Sequence, residues 1–377
     1  MQGRFQLRTM KRNSDIEISP ERFHKKIQSG DVPIIVDVRN AKDFADWNLL
    51  NSINFPIMKL MKSKDFPEEF KDSEIVLICG KGKDSYTGAE QLHSLGYNVK
   101  SLAGGMTAWN HVFDNIEVTS DSDLELIQLR RVAKGCLSYF LYSNGEAIVI
   151  DPAHNVSPYV KMAEEKDVAI TRIIDTHLHA DHISGARDLA QKTGAEYFVS
   201  PNDPYEFEFN QLKEDTTFSI GNKVLLHAMS TPGHTPGSTS LRMKDLGVLT
   251  GDILFIDGIG RPDLANKSAE FAKDLYYSLH QRLAVLPSNM FYAPAHHGKF
   301  TLDHFNTPLV SAIQTFKENS ILQKNENAFI EYAVQTSQQT KQPSSHQTIR
   351  QVNSGKLILS PIQIGELEIG PNRCAIG

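Results

Sequence analysis

The sequence predicts two α/β domains in tandem: a parallel sheet with flanking helices over residues 14–113, then a larger layered α/β domain over 124–377. Three observations carry this. Apolar runs at 33–39 and 74–79 read as buried parallel strands, which are covered on both faces and so need not alternate. Helical patterns lie between the strand-like runs. Farther along, several apolar runs each end in histidine or aspartate, and a strand-to-loop junction is where an α/β fold exposes chemistry.

Length and composition bound the rest. The 377 residues leave room for two or three domains, and 40% hydrophobic content supplies their cores. A net charge of −6 with no Lys/Arg stripe argues against a nucleic-acid partner. No apolar run approaches the ~20 residues that span a bilayer, so no membrane association is expected. The basic start (Arg4, Arg8, Lys11, Arg12) lacks the apolar core of a secretory signal. The three cysteines, Cys79, Cys136 and Cys374, are too few and scattered for a disulfide framework. A reducing, cytoplasmic setting is the expectation.

In chain order, Ser19-Pro20-Glu21 caps a short helix that Gly30 stops. Strands follow at 33–39, 74–79 and 98–102, with a helix at 85–95. The segment Cys79-Gly80-Lys81-Gly82-Lys83-Asp84-Ser85 puts a thiol at a strand end, before a glycine-rich loop and a helix start. Amides of such a loop form an anion nest, and Lys81 and Lys83 add charge, which favours a reactive thiolate. Residues 18–109 resemble the rhodanese sulfurtransferase family, on Asp37-Val38-Arg39, the Cys79 loop, Leu95-Gly96-Tyr97 and Leu102-Ala103-Gly104-Gly105-Met106-Thr107-Ala108-Trp109. The resemblance implies that Cys79 carries a persulfide sulfur during transfer and that Lys81 and Lys83 serve the substrate. Asp84 stands where many active members have arginine, and a sulfur-binding module without catalysis is the alternative. Ser85, six residues after the cysteine, argues against phosphatase chemistry.

The acidic segment 114–123 reads as the boundary. Strands at 137–142 and 146–151 meet at Ser143-Asn144-Gly145, a hairpin signal. A helix at 158–165, a strand at 169–174 and a helix at 185–194 follow. Ser268 is read as the cap of a helix running to Leu283, with Phe271, Leu275, Leu279 and Leu283 on its apolar stripe. The Gln/Ser/Thr-rich stretch 335–347 reads as a loop. Cys136 reads as a small core residue, and Cys374 has no assigned role.

Thr176-His177-Leu178-His179-Ala180-Asp181-His182 lies between the strand at 169–174 and the helix at 185–194. Imidazole and carboxylate at this spacing are ligands for zinc or iron. His234, between Pro232-Gly233 and Pro236-Gly237, Asp252 after Thr250-Gly251, and His296 after Pro294-Ala295 are the later ligand candidates. Together they resemble the metallo-β-lactamase superfamily from 124 onward, which implies an αβ/βα sandwich around a metal site.

Ligand counting alone gives seven candidates (His177, His179, Asp181, His182, His234, Asp252, His296), which suits a dizinc hydrolase such as a glyoxalase II-like thioesterase. A finer resemblance, through Gly258-Ile259-Gly260-Arg261-Pro262-Asp263-Leu264, Cys136-Leu137-Ser138-Tyr139 and Glu366-Leu367-Glu368-Ile369-Gly370-Pro371-Asn372-Arg373-Cys374-Ala375, is to the persulfide dioxygenases. It implies one Fe(2+) per chain on His177, His234 and Asp252. His179, Asp181, His182 and His296 would be outer residues or a second metal site, and Arg261 would hold the carrier's carboxylate. His297-Gly298 stands where that family often has Asp-Tyr. The partners implied are a small-molecule persulfide, O2 and sulfite or thiosulfate. The sequence leaves open the carrier thiol and whether the chain forms a homo-oligomer.

Overall fold

The computed structural model describes residues 14–62, 66–121, 124–220, 224–256, 258–264, 267–297, 306–313, 319–339, 342–370, 372 and 374–376. The basic start, Gly298 and Arg373 lie outside the described residues. The chain divides into two compact units, one ending at Val112 and the other starting at Phe113.

The first unit is a five-stranded sheet. Its strands are β1 (Glu17–Ile18), β2 (Ile34–Asp37), β3 (Ile53–Asn54), β4 (Ile75–Ile78) and β5 (Val99–Leu102), in the order β1-β5-β4-β2-β3. Every pairing is parallel. β4 is central, and its four residues are all buried, as an uninterrupted apolar strand should be. Ser19 caps the helix Pro20–Gln28 by accepting from the Arg22 N–H, and Gly30 follows with φ +83°.

The second unit is a sandwich of two sheets between helices. One sheet holds β6 (Phe113–Asp121), β7 (Leu124–Arg131), β8 (Leu137–Ser143), β9 (Glu146–Ile150), β10 (Ala169–Ile174), β11 (Glu196–Val199) and β12 (Asn210–Gln211) in spatial sequence. The other takes β13 (Thr217–Ile220), β14 (Val224–Ser230), β15 (Thr239–Met243) and β16 (Gly247–Gly251). After β17 (Leu254–Phe255) and β18 (Gly258–Gly260), it is completed by β19 (Phe291–Pro294) and β20 (Ser311–Ala312). A small sheet joins β17, β18 and β21 (Ala375–Ile376).

Period-two alternation sorts the core. On β8, Leu137, Tyr139 and Leu141 face the second sheet, meeting Leu226, Leu241 and Leu249. Phe140 and Tyr142 face outward, with Tyr159 and Leu189 from the covering helices Ser157–Lys166 and Ala186–Thr193. The outer face of the second sheet packs Leu275, Leu279 and Leu283 against Phe329 and Ala333. The β8–β9 hairpin turns at Asn144 and Gly145 with φ +45° and +82°, the left-handed pair that a two-residue turn requires.

Three expectations are corrected. The segment read as a boundary, 114–123, is mostly β6, an edge strand paired antiparallel with β7; its polar residues suit an edge, where one flank faces water. The stretch 335–347 is not one loop: helix Glu326–Gln339 enters it and helix Ser345–Asn353 leaves it, with 340–341 outside the described residues. The buried positions of the first helix are Phe329, Ala333 and Ser337, a stripe too small and polar to register as apolar periodicity. Finally, Ser268 makes no cap bond; it is the first helical residue, after Lys267, and the helix Ser268–Tyr277 continues as a π-helical turn over Ser278–Leu283.

Candidate functional site

Cys79 follows β4 and is buried. Its Sγ accepts from the Gly82 N–H at 3.1 Å and the Ser85 hydroxyl at 3.3 Å, and Ser101 donates to Ser85 at 2.8 Å. The loop is closed by the returning chain: the Met106 N–H donates to the Cys79 carbonyl and the Thr107 N–H to that of Gly80. Gly105, at φ +58°, is required there, since a Cβ would stand 2.2 Å from the Cys79 carbonyl oxygen. In this loop Lys81, Lys83 and Asp84 are exposed, whereas Gly82 is buried. Asp84 opens the helix Asp84–Ser94, where a carboxylate complements the helix dipole.

The second unit gathers its ligand-type side chains beyond strand ends: 176–182 after β10, His234 after β14, Asp252 after β16 and His296 after β19. All are essentially inaccessible. Gly251, at φ +54°, turns the chain into Asp252, and a Cβ there would meet Thr176 Oγ1 at 2.8 Å.

Three atoms converge without hydrogen-bond partners: His177 Nε2, His234 Nε2 and Asp252 Oδ2. The two nitrogens lie 3.6 and 3.5 Å from the oxygen. Their orientation is fixed from behind. His234 Nδ1–H donates to the Arg261 carbonyl at 3.0 Å. Thr176 Oγ1–H donates to Asp151, so at 3.0 Å it accepts from His177 Nδ1–H. Both Nε2 lone pairs are thereby presented inward, as second-sphere bonds do for metal-bound imidazoles. Buried polar atoms left unpaired need an explanation; a cation coordinated by two imidazoles and one carboxylate supplies it. Burial pushes His234 down to about 3, keeping its ring neutral. For Asp252 burial acts upward, but His296 and His177 outweigh it and hold the carboxyl well below the usual range.

The other candidates lie against one another, with His182 Nε2 and His296 Nε2 left without hydrogen-bond partners. His296 Nδ1 stands 2.5 Å from Asp252 Oδ1 and its Nε2 2.7 Å from Asp181 Oδ2. His182 Nδ1 lies 3.2 Å from Asp181 Oδ1. His179 Nε2 faces Asp151 Oδ1 at 3.1 Å, while its Nδ1 is without a hydrogen-bond partner. Cys136 is buried, as a small core residue would be, but its neighbours are ligand types: Asp181, His182 and His296. Burial acts to raise its thiol, yet His182 and His296 bring it down to about 6. Arg261 is fully buried, and its fork grips Asp263 at 2.7 and 2.9 Å.

Several supports escape sequence reading. Asp203 accepts from the Leu178 and Gly237 N–H groups and the Thr235 hydroxyl, tying the 176–182 loop to the His234 loop. Asn353 donates to the His179 and His182 carbonyls. Glu368 accepts from the Ile183 N–H and pairs with Arg131. No local motif marks Asp203 or Asn353, and the C-terminal stretch that holds Glu368 gives no sign of its partners, because these are groups far away in sequence.

Comparison with known proteins accounts for both units. The rhodanese-like domain family matches residues 19–111, and the metallo-beta-lactamase superfamily matches 131–299. A probable metallo-hydrolase of Bacillus subtilis, YqgX, is 30% identical over 183 residues, covering 42% of this chain and 83% of that protein. The human mitochondrial persulfide dioxygenase ETHE1 is 30% identical over 178 residues, 45% of this chain and 68% of that protein. A solved metallo-beta-lactamase structure from Staphylococcus aureus is 29% identical with a TM-score of 0.57, covering 63% of this chain and 74% of that one. No helix among the described residues is long and apolar enough to cross a membrane. The chain thus belongs to the metal-dependent metallo-beta-lactamase superfamily and carries a rhodanese-like domain ahead of that fold.

Proposed function

We propose that the chain is a non-haem iron persulfide dioxygenase coupled to sulfane-sulfur transfer at Cys79. The overall change is R–S–SH + O2 + H2O → R–SH + H2SO3. The observation that carries this reading is the convergence of His177 Nε2, His234 Nε2 and Asp252 Oδ2, all without hydrogen-bond partners. His182 Nε2 and His296 Nε2 are also without hydrogen-bond partners, but the Asp181 carboxylate between them is already engaged by the Asn372 amide. The converging set suits a single Fe(2+) held by His177, His234 and Asp252. When bound, the ion supplies open positions for the persulfide sulfur and O2. The chain's own residues hold the two rings through Thr176 and the Arg261 carbonyl, and bury the centre.

The carrier part of the substrate is assigned to a cleft of about 400 Å3 beside Leu178 and Leu264, lined also by Gln342, His346, Arg350 and Lys356. Arg350 and Lys356 as cations and Gln342 as an amide complement a carrier with carboxylates and peptide bonds, such as glutathione, while burial lowers His346 to about 4 and keeps it neutral. Arg261 does not line this cleft; it is fully buried, with its fork on Asp263 and the Ser337 carbonyl, so its part here is to hold His234 through its own carbonyl. The rhodanese-like unit supports the sulfur chemistry: tethering keeps a sulfane-sulfur carrier at high effective concentration for an enzyme that consumes persulfide. Lys81 and Lys83 give its loop a cationic rim for sulfite or thiosulfate.

The test is oxygen uptake by purified, iron-loaded protein on adding glutathione persulfide. Rapid uptake, stopped by a ferrous chelator, is the expected result; no uptake with any low-molecular-weight persulfide refutes the reading. The second reading, a dizinc thioester hydrolase, is favoured by the likeness to a probable metallo-hydrolase. Two zinc ions per chain and thioester cleavage without oxygen uptake would establish it.

A further inference from the structure

The C-terminal segment enters the metal centre. After the helix Pro361–Leu367, Glu368 is buried on Arg131 and the Ile183 N–H, and its carbonyl accepts from Lys134 Nζ. The Asn372 N–H then donates to the Lys134 carbonyl at 2.8 Å. The Cys374 carbonyl accepts from the Arg261 N–H at 3.1 Å, and β21 pairs with β18. This segment is therefore bonded to Arg261, whose carbonyl holds His234, and to Ile183 beside His182.

Asn372 makes the direct contact. Its Oδ1 accepts from the Cys374 N–H at 2.7 Å. That bond settles the amide's orientation, so Nδ2–H is the group facing Asp181, and it donates to Asp181 Oδ2. The same Oδ2 lies 2.7 Å from His296 Nε2, and His296 Nδ1 is bonded to Asp252 Oδ1. A second cation beside the first would need lone pairs from Asp181, His296 and the outer oxygen of Asp252. The Asp181 oxygen is already engaged by the Asn372 amide and the outer Asp252 oxygen by His296 Nδ1, while His296 Nε2 and His182 Nε2 have no hydrogen-bond partner.

We propose that Asn372 is a positioning residue that holds Asp181 in this closed arrangement and so keeps the centre to one metal ion. The proposal rests on the single-metal reading above. Without the Asn372 amide, the Asp181 carboxylate is released to a cation shared with Cys136, His182 and His296. Ligand atoms of these four buried residues lie within 4.8 Å of one another. A thiolate, two imidazoles and a carboxylate form a four-ligand set suited to zinc or cobalt rather than ferrous iron.

The experiment is cobalt(II) titration of metal-free full-length protein, read by bound metal per chain and by absorption. Wild type is expected to bind one equivalent tightly. Asn372→Ala is expected to bind two, the second bringing a thiolate-to-cobalt absorption that Cys136→Ser, added to that variant, removes. If Asn372→Ala fails to fold, Asn372→Ser, which keeps a short acceptor for the Cys374 N–H, gives the same measurement. One equivalent in both wild type and the Asn372 variant overturns the role of Asn372 and leaves the single-metal reading standing. Two tight equivalents in wild type overturn the single-metal reading itself. A second equivalent without the thiolate absorption overturns the part assigned to Cys136.

Discussion

Cys79 draws its surroundings from its own loop and one returning turn of chain, whereas the metal centre draws on residues as distant in sequence as Asp151 and Cys374. The thiol is held by one amide and one hydroxyl, and the cations nearby are exposed. The metal centre is held by inaccessible side chains whose charges act on one another through a poorly screened interior. A local site of the first kind can change its chemistry through a few loop residues. A distributed site of the second kind depends on the whole sandwich, so damage to any one strand end reaches it. The two sites should therefore fail separately and by different amounts.

The largest effect is expected from the three ligands assigned to the iron. His177→Ala, His234→Ala or Asp252→Ala should bring oxygen uptake to background and bound metal well below one per chain, while sulfur transfer from thiosulfate or a persulfide persists. Metal analysis with an oxygen electrode checks this. Uptake retained by a metal-depleted variant would sink the assignment of this triad. The reverse separation comes next. Cys79→Ser should abolish sulfur transfer and leave uptake with glutathione persulfide nearly unchanged; undiminished transfer would remove Cys79 from the chemistry.

What can be read from sequence follows the same division. The Cys79 loop and the 176–182 cluster are legible because the chemistry and the local frame share a short window. His234, Asp252 and His296 are legible because each follows a strand-like run within a few residues. The frame of the metal centre is not: Asp203, Asn353, Glu368 and Asn372 act on backbone groups or carboxylates that only the folded chain brings near. Cys136 shows its burial in the sequence but not its environment, since nothing adjacent to it announces Asp181 or His182. β6 passes for a linker because an edge strand needs little apolar content, and the helix Glu326–Gln339 passes for a loop at its end because its buried stripe narrows to Ala333 and Ser337.

Asp203 sharpens the contrast at intermediate size. Asp203→Ala strips the acceptor from two buried N–H groups and a hydroxyl, each loss costing ~1–3 kcal/mol. Both ligand loops loosen, and metal affinity should fall about 10–100-fold, as for other outer-sphere losses. Competition against a chelator of known affinity measures it. Asp203→Asn, which keeps one acceptor oxygen, should recover part of the loss, and full affinity in Asp203→Ala would show that the loops are fixed by something else.

The smallest effect on the chemistry belongs to Glu368, which acts on stability and is told apart by its dependence on pH. Burial acts to raise its carboxyl, but Arg131, then Lys134 and His182, outweigh it and lower it from 4.5 to about 2. A carboxyl depressed in the folded state stabilises that state above its unfolded value, and the contribution is lost as pH falls from about 4.5 toward 2. At neutral pH the contribution is on the order of 3 kcal/mol, since each tenfold change in proton affinity is worth about 1.4 kcal/mol. Glu368→Gln keeps the shape and an acceptor for the Ile183 N–H but removes the charge, so it should unfold at lower urea than wild type at pH 6. The gap should narrow through the acid window and nearly close by pH 2. A gap of constant size from pH 6 to pH 2 would mean that the Arg131–Glu368 pair steadies the 176–182 loop by packing and hydrogen bonding alone, with no part played by its charge.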